Sequence, residues 1–594
     1  MILQALVKHY ETLAQKGEIA RPGWGNAKVS FGLNIDGDGR LLGILPLENP
    51  DESGKKMRPQ LKNLPAPVKR TVGIMPNFLW DNAAYMLGID GKGKPERAKQ
   101  CFEAAKQLHL KVLDGADDAF ARAVCAFFST WNPDAAREQP CIIEHLTGLE
   151  AGGNAVFVYH LTFPDANEAL THAWQRFYDG ESDDALPAMR DLVTGGIETP
   201  EAVHPAIKNV RGAQSSGAAL VAFNAPAFCS YGREQNLNAP MGKYAAFAYT
   251  TALNHLLADA NSRQFIGDAS VVFWAEDADR AAPAMFTMAM GGGDAEDVVT
   301  QHSLRACLQK LAAGESVTWD DMPVEPENRF YVLGLSPNAA RVSVRMFLRE
   351  GFGDIARNML AHYEGLEIVK PAFEKWDTLP PWVILRETVN PHAKDKNASP
   401  QMAGDMLRAI LTGGRYPATI YQAIQQRIHA DRNINYARAA TIKAYLRRNT
   451  DIELCKGESM VQLNEETTYQ PYVLGRLFAV LEGIQQTALP GLNTTIKDKY
   501  LTAACATPAV VFPTLLNLAE KHLRKMETGQ KIYFSKQLVA LTGLIAESFP
   551  AHQTLHDQGV FQLGYYHQTQ QRYEKKNKDD QPADDAQPDT ANNI

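Results

Sequence analysis

The sequence predicts an α+β protein of several domains, with a mixed α/β N-terminal region followed by a helical-bundle C-terminal domain. A chain of 594 residues is too long for one hydrophobic core. Segments with β-strand alternation stop before residue 390, and the later apolar segments follow helical spacing. Residues 390–400 form the clearest linker, so we expect domains at residues 1–390 and 401–573. Residues 574–594 are acidic, contain almost no apolar side chains and are expected to be disordered.

The expected elements follow from local patterns. The first residues have helical spacing up to Gly17, and "KVSFGLNI" and "RLLGILPL" alternate around "DGDG", which predicts a β-hairpin. "KYAAFAYTTALNHLLADAN" predicts an amphipathic helix, "ASVVFWAE" a buried strand, and "RFYVLGL" and "RVSVRMFL" two further strands. The helical segments beyond residue 400 include "IYQAIQQRIHA", "NYARAATIKAYLRRN", "YVLGRLFAVLEGIQQ", "PAVVFPTLLNLAEKHLRKM" and "SKQLVALTGLIAES".

The composition argues against three classes of protein: disulfide-stabilised proteins, zinc fingers and membrane proteins. The seven cysteines are scattered without a CxxC pair, which argues against a disulfide framework and a zinc finger. The N-terminus lacks the pattern of a signal peptide, and no apolar run reaches the roughly 20 residues that span a bilayer. We therefore expect a cytoplasmic protein without membrane contact.

Charge is segregated along the chain. The formal net charge is −8, yet residues 1–100 carry 15 basic and 10 acidic residues, and residues 401–450 carry 8 basic and 2 acidic residues. A local basic face can bind phosphate despite an acidic total. The alternative is the ordinary fluctuation of charge along a long chain.

Each apparent motif for catalysis, a cofactor or a metal lacks a neighbouring residue or element that its function requires. Gly37, Gly39 and Gly43 fit a GxGxxG pattern, but a strand is expected after them where a dinucleotide site needs a helix. The same turn resembles the start of a calcium loop, but Leu45 stands where a glutamate is required. His552 and His556 are four residues apart without a nearby third ligand. The sequence thus predicts no catalytic residue, no metal site and no cofactor.

The segment 211–240, "RGAQSSGAALVAFNAPAFCSYGREQNLNAP", is rich in amides, small hydroxyls and glycines and contains only three charged residues. Amides carry both a donor and an acceptor, as the reading of a base edge requires, and glycine permits close backbone approach. The alternative is an ordinary loop that Phe223, Phe228 and Tyr231 anchor to a core.

Several blocks of the sequence resemble the large subunit of the type I-C CRISPR surveillance complex, Cascade. The resemblance extends from Met1 to about Tyr573. It rests on the segment 207–240 with the helix that follows, and on "MPNFLWDNAAYMLG", "YVLGLSPNAARVSVRMF", "INYARAATIKAYLRRN", "GRLFAVLEGIQ" and "LTGLIAESFPAHQTLHDQGVFQLGYYHQ".

The resemblance implies a non-catalytic DNA-binding role. In such complexes a guide RNA reads the target by base pairing and a protein reads a short flanking motif, the PAM, in double-stranded DNA. The large subunit is expected to recognise the PAM, aid R-loop formation and recruit the helicase-nuclease. The expected partners are the guide RNA complex, the target duplex, the backbone subunit, the guide 5′-handle subunit and a small subunit. The alternative function is a defence-associated nuclease or other DNA-processing enzyme.

Two groups of residues are our candidates for contacts with DNA. The candidates for PAM contacts are Lys28, Asn77, Gln214, Ser215, Ser216, Asn224, Asn236 and Asn238. The candidates for phosphate contacts with a separated strand, here called the basic run, are Arg427, Arg432, Arg438, Lys443, Arg447 and Arg448. The alternative for the basic run is a solvated helix face without a ligand.

The resemblance also implies that the small subunit can be made by internal translation from the same reading frame. Residues 460–594 contain enough amphipathic helix for a bundle, and Met460 supplies a start codon. Lys456, Gly457 and Glu458 permit codons that form a ribosome-binding sequence. Val461 and Val473 are possible alternative starts, and Met460 could equally be an ordinary interior methionine.

Overall fold

The computed structural model describes residues 1–50, 57–68, 70, 73–180, 187–292, 298–376, 378–394, 396–457, 460–545 and 548–579. Contacts between residues divide the chain into two compact units. The first unit contains Met1–Pro205 and Val221–Leu253, and the second contains Ala206–Leu220 and Asn254–Ile594. The sequence predicts a domain boundary at residues 390–401 instead, and that boundary stays a prediction.

The first unit is a mixed α/β structure. Its elements are α1 Ile2–Gln15, β1 Trp24–Val29, β2 Phe31–Ile35, β3 Leu41–Pro46, β4 Glu48–Pro50, β5 Met57–Pro65, β6 Trp80–Asn82, α2 Ala83–Met86, α3 Pro95–Val112, α4 Ala119–Thr130, α5 Pro140–Ile143, α6 Leu146–Glu150, β7 Asn154–Tyr159, α7 Glu168–Gly180, β8 Met189–Arg190 and β9 Ile197–Glu198. The helix α8, Lys243–Ala258, begins in this unit and ends in the second.

Two sheets organise the first unit. One has the strand order β3-β2-β7-β6, with β2 and β7 parallel, and the other has the order β1-β5-β4 and is antiparallel. The predicted hairpin is present, since Phe31 of β2 pairs with Pro46 of β3 across the "DGDG" turn. The strand after this turn confirms that its glycines do not begin a dinucleotide-binding helix. Aromatic side chains including Phe127, Phe157 and Trp174 pack into the core of the unit.

The second unit joins a four-stranded antiparallel sheet and a two-stranded one to a large helical region. Its elements are β10 Arg263–Ile266, β11 Ala269–Ala275, α9 Ala281–Ala289, α10 Val298–Ala312, β12 Val317–Trp319, β13 Met322–Val324, β14 Arg329–Asn338, β15 Arg341–Gly351, α11 Phe352–Leu366, α12 Pro381–Arg386, α13 Pro400–Thr412, α14 Ala418–Asp431, α15 Tyr436–Asn449, α16 Glu453–Lys456, α17 Gln470–Ala488, α18 Ile496–Ala506, α19 Pro508–Leu523, α20 Thr528–Gly543 and α21 Leu555–Asp579.

The four-stranded sheet of the second unit has the order β10-β11-β14-β15, and β12 pairs with β13 in the two-stranded one. Every residue of β11 is buried, as the apolar run "ASVVFWA" predicts, and β14 and β15 form the expected pair of strands. The helical region after residue 400 is also present. The predicted fold class, a multidomain α+β protein, is therefore confirmed.

Close helix packing defines the C-terminal bundle. Helices α17 and α21 touch backbone to backbone, because a Cβ at Gly475 would lie 1.9 Å from the Phe561 carbonyl oxygen and one at Gly564 would lie 2.2 Å from that of Tyr472. Another face of α21 packs on α14 and α15, where Gln425 and Gln562 exchange amide hydrogen bonds of 2.9 and 2.6 Å. The helix α21 continues to Asp579, into the predicted tail, and residues 580–594 lie outside the described residues.

Within the described part of the chain, none of the helices combines the length and apolarity needed to cross a bilayer. All seven cysteines are free thiols. His552 precedes the helix α21 that contains His556, so the two histidines do not share a helix.

Candidate nucleic-acid interface

A short turn in the second unit carries three of the predicted PAM contacts. Ile207 and Ala218 exchange two backbone hydrogen bonds of 2.8 Å, and the Gly217 N–H donates to the Gln214 carbonyl at 2.9 Å. Gly217 has φ +97°, a conformation that favours glycine. The side chains of Gln214, Ser215 and Ser216 are exposed on this turn. The geometry therefore leaves their amide and hydroxyl groups accessible to a ligand.

Strand contacts hold that turn in place. Ala219 forms a parallel bridge to the start of β15, with its N–H donating to the Ala340 carbonyl at 2.9 Å. The Arg211 N–H donates to the Ser270 hydroxyl, on β11, at 3.0 Å. A loop attached at both ends to strands of one sheet presents its side chains in a defined geometry.

The rest of the amide-rich segment lies in the first unit, where two asparagines have structural roles. The Asn238 side chain accepts a hydrogen bond from the Ser230 N–H at 2.8 Å and donates to the carbonyls of Arg233 and Gln235 at 3.0 Å. Asn236 is only 2% exposed. Asn238 therefore closes the loop around it, and Asn236 cannot reach a ligand outside. Asn224 is exposed.

The aromatic residues of the segment do not act as core anchors. Tyr231 is 97% exposed and Phe228 is 47% exposed. Tyr231 also has φ +55°, which is uncommon for a residue with a Cβ. The interpretation of this segment as a loop pinned to a core by its aromatics is therefore wrong for Tyr231 and Phe228.

The two remaining PAM candidates differ in exposure. Lys28 is exposed on β1, opposite Leu61 of β5. Asn77 is buried, its side-chain oxygen accepts from the Val68 N–H at 2.9 Å, and its own N–H donates to Asp81 at 2.9 Å. Asn77 thus stabilises the chain around residues 68–81, and a direct contact of its side chain with DNA is withdrawn.

The basic run lies in the second unit, and two of its members are interior groups. The Arg438 side chain is 6% exposed and forms ion pairs with Glu387 at 2.9 Å and Asp431 at 2.6 Å. Lys443 is fully buried, and its ammonium donates to the backbone carbonyls of Glu364 and Glu367. Neither side chain has surface left for a phosphate, so we withdraw that role for Arg438 and Lys443.

The other four members of the basic run are partly exposed, and each has an internal partner. Arg427 pairs with Asp431, and Arg432 donates to the Thr502 hydroxyl. The Arg447 guanidinium donates to the Glu364 carbonyl at 3.3 Å. The Arg448 guanidinium donates to the Ala409 carbonyl at 3.1 Å and lies 4.4 Å from the Tyr416 ring centroid. These contacts hold helices together, and any role of these residues in DNA binding stays a prediction.

A second basic surface, absent from the sequence prediction, lies where α19 leads into α20. We call it the cationic hairpin, and its members are Lys521, Arg524, Lys525, Lys531 and Lys536. All five side chains are exposed, and none forms an ion pair with the part of the chain that the structure describes. The exposed side chains of Ile532 and Tyr533 lie among them. Unpaired cations beside an exposed aromatic ring form a surface typical of single-strand binding.

A sequence signal for the cationic hairpin exists. In α19 the buried residues Val511, Phe512, Leu515, Ala519 and Leu523 follow helical spacing. That spacing places Lys521 on the opposite, solvent face of the helix. Amphipathic periodicity could thus have identified this surface, whereas a count of charges did not.

Met460 is fully buried in the core of the second unit. The full-length chain therefore uses this side chain in packing, and its use as an internal start codon stays a prediction.

Groups with strongly shifted pKa values occupy the interior. Burial lowers the pKa of His109 and of His204 to about 4, and the His204 ring bonds to the Tyr249 hydroxyl at 2.7 Å. Burial, followed by the nearby Arg448, lowers the pKa of His362 to about 3. Among the described residues, no group of three or more His, Cys, Asp or Glu side chains could hold a metal ion.

Comparison with known proteins places the chain in a family. A search of curated proteins finds no match. The family model Cas_Csd1, described as CRISPR-associated protein (Cas_Csd1), matches residues 6–573. This range covers most of both units and includes the turn that carries Gln214 and the cationic hairpin. The protein therefore belongs to the Cas_Csd1 family of CRISPR-associated proteins, which supports a Cascade-type subunit.

Proposed function

We propose that this protein is the non-catalytic large subunit of a type I-C CRISPR Cascade, which recognises the PAM in double-stranded DNA, aids R-loop formation and recruits the helicase-nuclease. The cationic hairpin is the observation that carries the nucleic-acid-binding part of the proposal. Five exposed cations that form no ion pair with the described residues are available to neutralise phosphates, whereas paired cations are not. The proposed partners are the guide RNA complex, the target duplex and the backbone, 5′-handle and small subunits, in the cytoplasm.

Within this function, the exposed amides and hydroxyls are our candidates for base-edge contacts. Gln214, Ser215, Ser216, Asn224 and Lys28 are accessible to a duplex. Asn77, Asn236 and Asn238 are assigned to the support of their own loops. Arg427, Arg432, Arg447 and Arg448 are secondary candidates for phosphates because each keeps some exposed surface.

PAM recognition is tested with assembled complexes on duplexes that contain an intact or a scrambled PAM. Wild-type complex should retain only the intact duplex. Gln214→Ala should reduce the discrimination at one base position by about 1–3 kcal/mol. Gln422→Ala, which removes an exposed amide from α14, is the matched control and should change nothing. Full discrimination by Gln214→Ala would remove this residue from the reading surface.

The phosphate role of the cationic hairpin is tested by the salt dependence of DNA binding. Lys525→Glu with Lys531→Glu should flatten the slope of log affinity against log salt by about 0.7 to 0.9 for each lost phosphate contact. Lys310→Glu reverses an exposed charge on α10 and should keep the wild-type slope. An unchanged slope in the double variant would show that the hairpin does not touch DNA.

The nuclease alternative is tested by incubating the purified protein and DNA with magnesium or manganese. We expect the DNA to stay uncut over hours. Cleavage that persists after repurification would favour the alternative that this protein is a nuclease.

We further propose that residues 460–594 are also made separately as the small subunit. The intact mass of the copurified complex should include this shorter chain, and Met460→Leu with silent recoding of codons 456–460 should remove it. Internal translation from Met460 would be rejected if the wild-type complex lacks the short product, or if the recoded Met460→Leu complex still contains it with the same N-terminus.

A further inference from the structure

A cavity of about 630 Å³ in the second unit has no role in the function proposed above. Its lining includes the side chains of Gln301, Arg305, Tyr436, Gln462, His567 and Gln571. It adjoins a second, wider cavity that shares Arg305, Gln462 and Gln571. The combined space is open enough to admit a small molecule or one residue of a polymer.

His567 supplies a buried polar atom without a partner. The His567 side chain is 1% exposed, and its Nε2 has no hydrogen-bond partner among the described residues. An uncompensated buried polar group costs free energy, so its presence in a cavity wall points to a partner from outside the chain.

The protonation of His567 follows from its neighbours. The Tyr472 hydroxyl oxygen accepts a hydrogen bond from the Asn464 N–H at 3.1 Å and lies 2.7 Å from Nδ1 of His567. Burial raises the pKa of Tyr472 to about 12, so the hydroxyl keeps its proton, and among the described residues Nδ1 of His567 is the one acceptor that this O–H reaches. The pKa of His567 is lowered to about 3 by burial and then by Lys443 and Arg476, so the ring is neutral. The single ring proton is therefore on Nε2, as a hydrogen-bond donor.

The charges behind His567 favour an anionic acceptor. The Lys443 ammonium bonds only to the backbone carbonyls of Glu364 and Glu367 within the described structure. Arg476 is buried and donates to the Gln568 side chain at 3.0 Å and the Asn464 carbonyl at 3.1 Å. Both cations act on the His567 ring, since both add to the effect of burial in lowering its pKa, and Glu367 and Glu465 offset part of their charge.

Four carboxylates line the wider cavity, and one of them, Glu367, also lines the cavity of His567. Glu367 pairs with Arg305 at 3.2 Å, and Glu465 accepts a hydrogen bond from Gln571 at 3.1 Å. Glu364 and Glu466 also line the wider cavity. Because Glu364, Glu465 and Glu466 line only the wider cavity, an anionic group is disfavoured there relative to the cavity of His567.

From this arrangement we infer that the cavity binds a nucleotide, whose phosphate oxygen accepts a hydrogen bond from Nε2 of His567 and whose base contacts the amide-lined wall. The volume greatly exceeds that of a phosphate ion alone. Gln462 is exposed at the rim and offers an amide donor and acceptor, which suits a base edge, and the Tyr436 ring offers an apolar face. The nucleotide is either free or part of a strand. This inference does not depend on PAM recognition.

Binding is measured calorimetrically on the full-length protein with dAMP, dTMP, deoxyadenosine and inorganic phosphate as separate probes. At least one mononucleotide should bind more tightly than both deoxyadenosine and phosphate. In protein with ¹⁵N-labelled histidine, that mononucleotide should also shift the Nε2 resonance of His567. No nucleotide binding, or equal affinity for phosphate and nucleotide, overturns the inference.

Variants locate the bound nucleotide. Gln462→Ala changes an exposed rim residue and should weaken nucleotide binding about fivefold, whereas Gln530→Ala on α20 should not. His567→Leu should weaken binding about tenfold or more, and His567→Gln, which can present an amide donor, should recover part of the loss. Affinity that is unchanged in both Gln462→Ala and His567→Leu overturns the site.

Competition distinguishes the two sources of the nucleotide. A short single-stranded oligonucleotide that displaces the bound mononucleotide assigns the cavity to a strand, and failure to displace it assigns the cavity to free nucleotides. A tripeptide is the final probe. If no nucleotide binds and the tripeptide binds only with its C-terminal carboxylate free, the ligand is a peptide C-terminus, and the inference is overturned.

Discussion

Helix α15 and the cationic hairpin contain similar numbers of basic residues but place them in opposite environments. In α15, Arg438 and Lys443 are buried and bonded to the protein itself. In the hairpin, all five cations are exposed and lack ion pairs within the described chain. The comparison shows that the density of basic residues in a sequence does not reveal whether their charges are available to a ligand.

The difference follows from the residues between the charges. In α15 the side chains from Tyr436 to Leu446 are all buried, so apolar and small residues surround the whole helix. A helix enclosed on all sides must satisfy its cations internally. In α19 the apolar residues form a single stripe, so the charges of the hairpin remain in water.

The largest difference between the two regions should be in stability. Arg438→Ala leaves Glu387 without its cation and Asp431 with Arg427 alone, and it should lower the free energy of unfolding by about 3 kcal/mol. Urea unfolding of the purified protein measures this change. A loss below about 1 kcal/mol would mean that the two ion pairs contribute little and that α15 tolerates release of this cation.

The next largest effect should be a pH dependence specific to the buried lysine. Burial and then Arg447 lower the pKa of Lys443 to about 8, whereas an unfolded lysine has a pKa of about 10.4. Between these pH values the unfolded chain holds a proton that the native chain has lost. The native state therefore gains stability as pH rises, by at most about 1.4 kcal/mol per pH unit.

Lys443→Met removes this titration. The unfolding free energy of wild type relative to Lys443→Met should therefore increase between pH 8 and pH 10, and it should be constant between pH 6 and pH 7. Lys525→Met in the cationic hairpin is the matched control and should produce no such trend. A difference that stays flat up to pH 10 would contradict the low pKa of Lys443.

The smallest effect on stability should come from the hairpin. Lys525→Ala and Lys531→Ala remove exposed cations that have no ion pair within the described part of the chain, and each should change the free energy of unfolding by no more than about 0.5 kcal/mol. Thermal unfolding of both variants, beside Arg438→Ala, checks this. A destabilisation comparable to that of Arg438→Ala would place the hairpin lysines in the folded framework and remove them from the DNA-binding surface.

Much of the fold could be predicted because it depends on local pattern. The apolar run in "ASVVFWAE", the alternation in "RVSVRMFL" and the turn "DGDG" specify strands and a hairpin that the structure contains. Helical spacing specifies most of the C-terminal bundle. The paired region Ile207–Ala218, which attaches the first part of the amide-rich segment to the second unit, depends on contacts distant in sequence. Such contacts are not contained in any single window of residues.

The candidate site was less predictable, because residue type does not determine exposure. Gln214 and Asn77 have similar chemistry, but Gln214 lies on an open turn and Asn77 is held between two backbone groups. His567 gave no signal in the sequence, since its one hydrogen bond comes from Tyr472 on a neighbouring helix and its other ring nitrogen is left unpartnered among the described residues. Hydrogen-bond satisfaction is a property of the assembled core.

The glycine contact between α17 and α21 has a consequence for how one gene could serve two positions in an assembly. Gly475 and Gly564 both follow Met460, so a product that starts there keeps the backbone contact of these helices. The same product lacks α14 and α15, which cover Gln562 and Gly559 of α21 in the full-length protein. The long chain would thus occupy this face with its own helices, whereas the short chain would offer it to a neighbouring subunit, which gives one reading frame two distinct assembly specificities.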